Sequence, residues 1–349
     1  MLHTVKLRLL ASANRLGITA LVANSAWRRQ RLLILCYHGI SLRDEHVWNP
    51  GLYMDRRRFE SRMEHLRTAR CHVLSLGEGL DRLRRGELPE RSVAVTFDDG
   101  WHDFHQVAMP ILSRFEIPAT VYLTTYYVGY NRPVFDTMLR YLLWSARGRA
   151  LRLASVIPIT TPVPDPVAAI ENHVRRASLG AAAKDELLAA VAKDLEIDYR
   201  ALLEQRVLHL MNAGEVKAAA QAGIDIQLHT HRHRVSRDAS QFAREILENR
   251  DKIRSITGLK PDHFCYPGGN FLPQYDSWLN DLEVVSATTC EARLCQTRDN
   301  LRFLPRILDS ERMTQAEFEA WVAGLREWLP RRRYAPAEGQ FLEDWMAPS

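Results

Sequence analysis

A buried strand that ends in two carboxylates constrains this chain more than any other stretch. Residues 92–97 form an apolar run with several β-branched side chains, which predicts a strand inside a sheet. The run continues into Asp98, Asp99 and Gly100. Neighbouring side chains on a strand point to opposite faces, so both carboxylates reach one site only where the strand ends and the backbone turns. The pattern indicates an α/β protein with its chemistry at the strand ends, although an acidic turn closing a core strand has the same sequence.

Strand and helix signals alternate along much of the chain, which predicts a parallel sheet that is either open or closed into a barrel. The segment 104–115 is a predicted helix in which Pro110 causes a kink or break. Between about residues 136 and 210, helical segments rich in alanine and leucine interrupt this alternation. The pattern predicts a helical insertion that borders the site. Further predicted strands lie at 32–37, 119–123, 224–228, 263–265, 284–287 and 302–307, and further predicted helices at 57–70, 77–85, 215–222 and 243–256.

The expected organisation is one large α/β domain with additions at both ends. The chain has 349 residues, of which 46% are hydrophobic and 26% charged, as in ordinary globular proteins. We expect an amphipathic helix within residues 1–30, an α/β domain over 31–312, and a helix with a tail over 313–349. No apolar run has the length of a signal-peptide core or a membrane span. The expected location is therefore cytoplasmic, with peripheral contact at the inner membrane as an open alternative.

Charge and cysteine content give weaker indications. The formal net charge is +5, and arginines cluster at 28–31, 56–58 and 331–333. Such clusters contact an anionic surface in some proteins and are simply solvated in others. Five cysteines without close pairs predict no disulfide framework, and Cys36 and Cys265 lie in apolar runs, where cysteine behaves as a small buried side chain.

A histidine cluster follows another predicted strand far downstream. His229, His231 and His233 come directly after the apolar segment 224–228. If the loop turns helically, His229 and His233 share one face, and if it is extended, neighbouring pairs do. Either arrangement brings two imidazoles to one carboxylate around a divalent metal with positions left for water, as in hydrolytic zinc sites.

Two motifs carry a resemblance to a known family. Residues 96–100, Thr-Phe-Asp-Asp-Gly, and the pattern His229-Thr230-x-x-His233 resemble the signature motifs of the polysaccharide deacetylases with a NodB-homology domain, carbohydrate esterase family 4. The resemblance covers about residues 32–310. It implies a distorted (β/α)7 barrel with the helical region as an insertion, and Thr230 as a residue that holds the histidine loop.

The resemblance also implies roles for individual residues. Asp99, His229 and His233 would bind a divalent metal, with Zn²⁺ as the expected ion. Asp98 would be the general base that takes a proton from the attacking water. The backbone N–H of Tyr266, in the place of the family's third motif, would stabilise the oxyanion.

Two positions depart from the family pattern. Cys265 stands where the family has an arginine that orients the base, and Arg306 stands where it has a histidine that acts as general acid. Arginine stays charged at any working pH and cannot donate a proton usefully. Either Arg306 orients Asp98 while His38 or His105 protonates the leaving amine, or the chain has lost efficient turnover.

Residues next to the motifs have their own expected places. His38 follows a predicted strand and lies at the same sheet edge as the two carboxylates if the strands are parallel. His231 is expected on the surface or beside the metal ligands. Trp101 and His102 either line a sugar site or, for Trp101 at least, pack in the core. Asp103 is expected to start a helix.

The predicted function is that of a metal-dependent deacetylase, which hydrolyses the N-acetyl or similar N-acyl group of an amino sugar. The substrate class is a glycan or a lipid-linked glycan intermediate of surface-glycan assembly, and no nucleic acid is an expected partner. The alternative is a non-catalytic protein on the same scaffold that binds a glycan or its lipid carrier.

Overall fold

The computed structural model describes Leu10, residues 16–158 and residues 164–329. Of residues 1–30, where an N-terminal helix was predicted, the continuous described stretch is 16–30, and it is helical over Ile18–Ala23 and Ala26–Arg29. The predicted tail lies outside the described residues. None of the described helices combines the length and the apolar composition that a bilayer span requires.

Short strands and longer helices alternate along the chain. The strands are β1 (Arg31–Tyr37), β2 (Gly39–Ile40), β3 (Tyr53–Met54), β4 (His72–Val73), β5 (Ser92–Phe97), β6 (Ala119–Leu123), β7 (Asp225–Leu228), β8 (His263–Cys265), β9 (Ser286–Thr288), β10 (Cys295–Gln296) and β11 (Ile307–Leu308). The α-helices span Ile18–Ala23, Ala26–Arg29, Glu45–Trp48, Arg56–Thr68, Leu76–Arg85, Met109–Arg114, Phe135–Ser145, Pro166–Arg176, Ala181–Asp194, Tyr199–Glu204, Ala213–Gln221, Ala239–Thr257, Tyr275–Asp281 and Gln315–Ala323.

Seven parallel strands form the wall of a barrel. Strands β1, β5, β6, β7, β8 and β9 pair in that order, each parallel to its neighbour. The following segment closes the wall, because Leu304 pairs with Thr288 of β9 and β11 then pairs with β1. The closing contacts are short, which makes the barrel irregular. The predicted distorted (β/α)7 barrel is confirmed.

The alternation of side chains along the strands separates two apolar layers. Leu33 and Leu35 of β1 belong to the large core between the barrel and its helices. The alternate residues Leu32 and Ile34 pack with Tyr122 in a separate cluster inside the barrel. The carboxyl ends of β1, β5 and β7 meet at one mouth of this interior, where polar side chains replace apolar ones.

The region between β6 and β7 has a hydrophobic core of its own. Its helices bury residues such as Met138, Leu142 and Val191, and the same cluster includes Tyr53 of β3 and Trp101 from the turn after β5. Backbone bonds join the end of this region to the turn after β5, since Met211 N–H donates to the Gly100 carbonyl over 2.9 Å. The helices predicted for this stretch are present, and they pack directly behind the two carboxylates.

The helix predicted over 104–115 is irregular next to Pro110, as expected. A π-helix over Phe104–Ala108 runs directly into the α-helix Met109–Arg114, so the regular α-helical pattern breaks beside the proline. The C-terminal helix predicted within 313–349 spans Gln315–Ala323 and ends where Gly324 adopts a left-handed φ of 88°. A 3₁₀-helix over Leu325–Trp328 follows it.

Asp103 lies in the first turn of the helical segment that begins at His102, as expected of a residue that starts a helix. Its side chain caps no helix and is buried, and its Oδ1 accepts the N–H of Ile40 over 3.0 Å. Burial raises the pKa of Asp103 well above its ordinary value. The residue therefore anchors β2 beside the turn that follows β5.

The turn after β5 requires glycine at position 100 for two separate reasons. Gly100 has a φ of 81°, and a Cβ there would lie 2.3 Å from Cδ1 of the fully buried Leu123. Gly86 shares the left-handed backbone, with a φ of 69°, but a Cβ there meets nothing within 4 Å. The two glycines are thus a matched pair that separates backbone strain from crowding.

We expect Gly100→Ala to destabilise the protein more than Gly86→Ala. Both substitutions incur the left-handed penalty of about 1–2 kcal/mol, and Gly100→Ala adds overpacking of about 1–3 kcal/mol. Urea denaturation of the two variants and the wild type measures the free energies of unfolding. Equal losses for the two variants would contradict the tight contact at Leu123.

Candidate active site

The ends of β5 and β7 bring the three predicted metal ligands together. His229 Nε2 lies 3.2 Å and His233 Nε2 lies 3.1 Å from the same oxygen, Oδ1 of Asp99. The two imidazole centroids are 4.9 Å apart. The side chain of His229 is buried, whereas 47% of the His233 side chain is exposed. The group therefore opens to solvent on the side of His233.

The surroundings of these atoms fit a divalent cation. Asp99 Oδ1 is buried and accepts no well-formed hydrogen bond from the described residues. His229 Nδ1 lies 2.8 Å from the Cys265 carbonyl oxygen, which assigns the proton to Nδ1 and leaves the Nε2 lone pair facing Asp99. A carboxylate oxygen and imidazole lone pairs that face one another repel unless a cation or a proton lies between them. Two histidines and one aspartate match the ligands of a catalytic zinc site.

Trp101 fixes the other oxygen of the Asp99 carboxylate. Its Nε1–H donates to Asp99 Oδ2 over 2.9 Å, and the indole is only 6% exposed. This bond directs Oδ1 towards the two imidazoles. The sequence led us to expect a sugar-lining or core tryptophan here, and it did not indicate the hydrogen bond.

Three non-glycine residues of the site hold left-handed backbone conformations. The φ angles are 71° at Asp99, 63° at Thr230 and 54° at His233. Each costs about 1–2 kcal/mol relative to an ordinary conformation, so the surrounding contacts must hold them. Thr230 Oγ1 accepts the N–H of Arg234 over 3.0 Å, which is the contact expected of a residue that holds this loop.

The helix Ala239–Thr257 supports the histidine loop with two buried polar side chains one turn apart. Asn249 Oδ1 accepts the His229 N–H over 2.9 Å, and its Nδ2 donates to the carbonyl that ends β6. Glu245 accepts hydrogen bonds from the backbone N–H of Arg232, at 2.7 Å, and from the Arg234 side chain, at 2.8 Å. Sequence analysis missed both residues, although polar side chains on the buried stripe of a helix are the signal that would have identified them.

Asp98 forms a buried two-point ion pair with Arg306. Nη1 lies 2.7 Å from Oδ1 and Nη2 lies 2.8 Å from Oδ2, and both side chains are almost fully buried. The remaining Nε–H of Arg306 donates to the Thr289 carbonyl over 3.1 Å. Burial alone would raise the pKa of Asp98, but Arg306 outweighs it and holds the pKa below its ordinary value. Asp98 is therefore an ionised carboxylate in one fixed orientation, as expected if Arg306 orients it.

Two cysteines border this ion pair. Cys265 Sγ lies 3.0 Å from Arg306 Nη2 and 3.4 Å from Asp98 Oδ2, and Cys36 Sγ lies 3.5 Å from the same oxygen. Both cysteines are buried, as the sequence indicated. The family pattern has an arginine at position 265, and in this chain Arg306 supplies the guanidinium next to Asp98. The small Cys265 side chain leaves space for that guanidinium.

Other groups of donor atoms in this region are poorer metal sites. Cys36, His38 and Asp98 lie close enough to share an ion, and so do Asp98, His229 and Cys265. Both groups include Asp98, whose two oxygens already accept from the positive Arg306. A cation there would face a fixed positive charge at short range. Among the described residues, the electrostatics therefore favour the group around Asp99.

His38 is the better placed of the two candidate acids. Its Nε2 lies 3.8 Å from Asp98 Oδ2, and its buried Nδ1 has no hydrogen-bond partner among the described residues. Burial lowers the pKa of His38, although the nearby carboxylates Asp98 and Asp99 oppose that shift. His105 lies in the π-helix and forms no hydrogen bond or ion pair with either carboxylate.

The oxyanion role predicted for Tyr266 is wrong in this structure. Its backbone N–H donates to the Thr288 carbonyl over 3.2 Å, as part of the barrel wall. Its hydroxyl donates to the Arg302 carbonyl over 2.8 Å, and the residue is 1% exposed. Because the donor is already engaged in strand pairing, Tyr266 offers no free N–H to a substrate.

Two further histidines have structural surroundings. His231 Nδ1 pairs with Thr125 Oγ1 over 2.8 Å, and this imidazole lies outside the group formed by Asp99, His229 and His233. His102 lies 3.1 Å from Glu215 and is buried, so it packs against the end of the insertion and does not line a sugar site.

Comparisons with known proteins agree with this geometry. A model of the family described as polysaccharide deacetylase matches residues 85–145 and 185–287. The poly-beta-1,6-N-acetyl-D-glucosamine N-deacetylase of Staphylococcus aureus is 38% identical over 71 residues, which are 20% of this chain and 24% of that protein. The match thus spans about a quarter of the relative's length.

Solved structures share the fold at low sequence identity. The deacetylase PplD of Streptococcus pyogenes, solved in complex with acetate, superposes with a TM-score of 0.56 at 18% identity, over 86% of this chain and 99% of that chain. IcaB from Ammonifex degensii gives a TM-score of 0.54 at 18% identity, over 85% and 97%. At this identity the likeness concerns the fold alone.

We expect zinc binding to depend on Asp99, His229 and His233. Asp99→Asn and His233→Gln should each weaken Zn²⁺ affinity by a factor on the order of 100 or more, and Trp101→Phe by about 10, as for a partner that orients a ligand. Isothermal titration calorimetry with Zn²⁺ measures this. His231→Gln is the matched control and should bind as the wild type does. Equal losses for His231→Gln and His233→Gln would contradict the assigned ligands.

We expect Arg306→Met to destabilise the protein and Asp98→Asn to rescue it. Removing the guanidinium leaves a buried, unpaired carboxylate, which costs about 3–5 kcal/mol. The double variant removes that charge and should recover most of the loss. Urea denaturation of both single variants and the double variant measures the coupling. If the double variant Asp98→Asn/Arg306→Met is no more stable than Arg306→Met, the unpaired Asp98 charge is not what destabilises the single variant, which would contradict this account of the ion pair.

Proposed function

We propose that this chain, which belongs to the polysaccharide deacetylase family, is a metal-dependent hydrolase that removes the N-acetyl or a similar N-acyl group from an amino sugar. The observation that carries the proposal is the position of an ionised, immobile Asp98 next to the ligand group of Asp99, His229 and His233. Hydrolysis of an amide requires an activated water, a base for its proton and an acid for the leaving nitrogen. When bound, a divalent ion supplies Lewis acidity for the carbonyl and lowers the pKa of a coordinated water.

The side chains divide the proton transfers between them. Asp98 accepts a proton from the water that attacks the acyl carbon, and Arg306 keeps this carboxylate ionised and oriented. As the carbon–nitrogen bond breaks, the nitrogen takes a proton and leaves as the amine of the sugar, while the acyl group leaves as a carboxylate. His38 is our candidate for the donor of that proton, because it lies beside Asp98 at the open mouth of the barrel.

The proposed substrate class is an N-acetylated amino sugar within a glycan. The Staphylococcus aureus relative is named for action on poly-beta-1,6-N-acetyl-D-glucosamine, and the donor set around Asp99 suits hydrolysis of such an acetamide. The lipid-linked intermediate and the peripheral location at the inner membrane stay predictions from the sequence. Assays with both soluble and lipid-linked amino sugars address the first of these.

One observation favours a second candidate, a glycan-binding protein on a deacetylase scaffold. Position 306 holds a base-orienting arginine where the family has its general acid, so turnover depends on a substitute acid. A binding protein would retain metal and glycan affinity without releasing acetate. Acetate release is therefore the measurement that separates the two candidates.

We expect Asp98→Asn and His38→Gln to slow acetate release strongly without loss of metal. Loss of a general base or acid lowers kcat by about 10²- to 10⁴-fold, while Zn²⁺ affinity should be kept because neither residue belongs to the assigned ligand group. His105→Gln is the control and should keep wild-type kcat. The assay follows acetate released from N-acetylglucosamine oligosaccharides by zinc-loaded protein.

Two results would change the proposal. Activity in His38→Gln together with inactivity in His105→Gln would transfer the acid role to His105. Full zinc occupancy without acetate release from any soluble or lipid-linked amino sugar would favour the binding protein.

A further inference from the structure

A groove of about 920 Å³ lies between the loop after β2 and the helices of the insertion. It includes none of the residues of the candidate active site. Its walls combine aromatic, aliphatic and charged side chains, among them Arg43, Asp44, Val47, Tyr141, Trp144 and Arg147. The volume is at the upper end of the range of about 300–1,000 Å³ that is usual for ligand pockets.

The chemistry of the groove is polar but carries no net charge. Two arginines, Arg43 and Arg147, are balanced by two aspartates, Asp44 and Asp198. Neither arginine forms a salt bridge with any residue that the structure describes. Their guanidinium groups are therefore open donors. The groove thus lacks the excess of positive charge that an anionic lipid surface or a polyanion would need.

The aromatic wall supplies an apolar face to a flat ligand. Trp144 is 38% exposed, and its ring centroid lies 5.8 Å from that of Tyr141. Tyr141 is held in place because its hydroxyl donates to Asp44 Oδ1 over 2.6 Å. A partly exposed indole face beside a fixed phenol, surrounded by dispersed donors and acceptors, matches the alternating C–H faces and hydroxyl edges of neutral sugar rings.

A row of aromatic contacts joins this wall to the candidate metal group. Trp48 contacts Tyr141 at 5.4 Å between centroids and Tyr53 at 6.0 Å, and Tyr53 contacts Trp101 at 5.9 Å. Trp101 in turn donates to Asp99. Packed aromatic side chains therefore connect the wall of the groove to the candidate active site.

We propose that this groove is a remote subsite for a neutral oligosaccharide, namely the arm of the substrate that extends beyond the sugar to be deacetylated. The inference rests on the proposed function, since the arm and the reacting sugar belong to one molecule. The insertion would then select polymeric over monomeric substrates. Binding to the groove needs no turnover, so it can be measured apart from catalysis.

The test measures binding of N-acetylglucosamine hexasaccharide by isothermal titration calorimetry. We expect Trp144→Ala and Arg147→Ala each to weaken the affinity at least tenfold. Trp328→Ala is the matched control, because Trp328 is 57% exposed and does not line the groove. In acetate-release assays, Trp144→Ala should raise KM for the hexasaccharide, with kcat and the rate on the monosaccharide unchanged.

The outcomes separate this inference from the proposed function. The subsite would be overturned if Trp144→Ala and Arg147→Ala both bound the hexasaccharide as tightly as the wild-type protein. It would also be overturned if the wild-type protein bound anionic vesicles and Trp144→Ala abolished that binding. A hexasaccharide that binds with a Trp144-dependent affinity but releases no acetate would support the subsite while contradicting the hydrolase. The variant His233→Gln, impaired at the metal group, should bind the hexasaccharide through the groove with a similar Trp144 dependence.

Discussion

The buried ion pair between Asp98 and Arg306 is the interaction on which the interior of the barrel depends. Two buried charges are each costly unless they are paired and hydrogen-bonded, and here both carboxylate oxygens and Nε of the guanidinium have partners. The ion pair also explains why small side chains occupy the two positions next to it. Cys36 and Cys265 contact the same carboxylate oxygen, and larger side chains at these positions would compete for the space of the guanidinium.

The same pair accounts for how the chain departs from its family pattern. A guanidinium that the family takes from position 265 comes from position 306, on the segment that closes the barrel against β1. The charge beside Asp98 is thereby kept, and it would disfavour a cation there relative to the neighbouring group around Asp99. With arginine in place of the family histidine at position 306, His38, just after β1, is the imidazole nearest to Asp98, the proposed base. Two departures that look damaging separately thus form one consistent arrangement.

The sequence predicted the parts of the site that depend on strand ends. Carboxylates after β5 and histidines after β7 meet because parallel strands end at one edge. Closure of the barrel was open from periodicity alone and followed only from the resemblance, since β11 is two residues long. The partners of Trp101 and Asn249 do not follow from the sequence pattern. The bond from Trp101 to Asp99 depends on how the turn after β5 orients the indole, and the bond between Asn249 and His229 joins two separate elements. Tyr266 was predicted wrongly, because motif position does not reveal whether a backbone N–H already pairs.

X-ray absorption spectroscopy at the zinc edge of the zinc-loaded protein tests the central claim most directly. The claim is that the Asp98–Arg306 pair excludes the metal from the cysteines and leaves it to Asp99, His229 and His233. We predict a first shell of nitrogen and oxygen only, at about 2.0–2.2 Å, with the outer-shell signature of two imidazoles. Sulfur scattering at about 2.3 Å would place the metal beside Cys36 or Cys265 and would contradict the account.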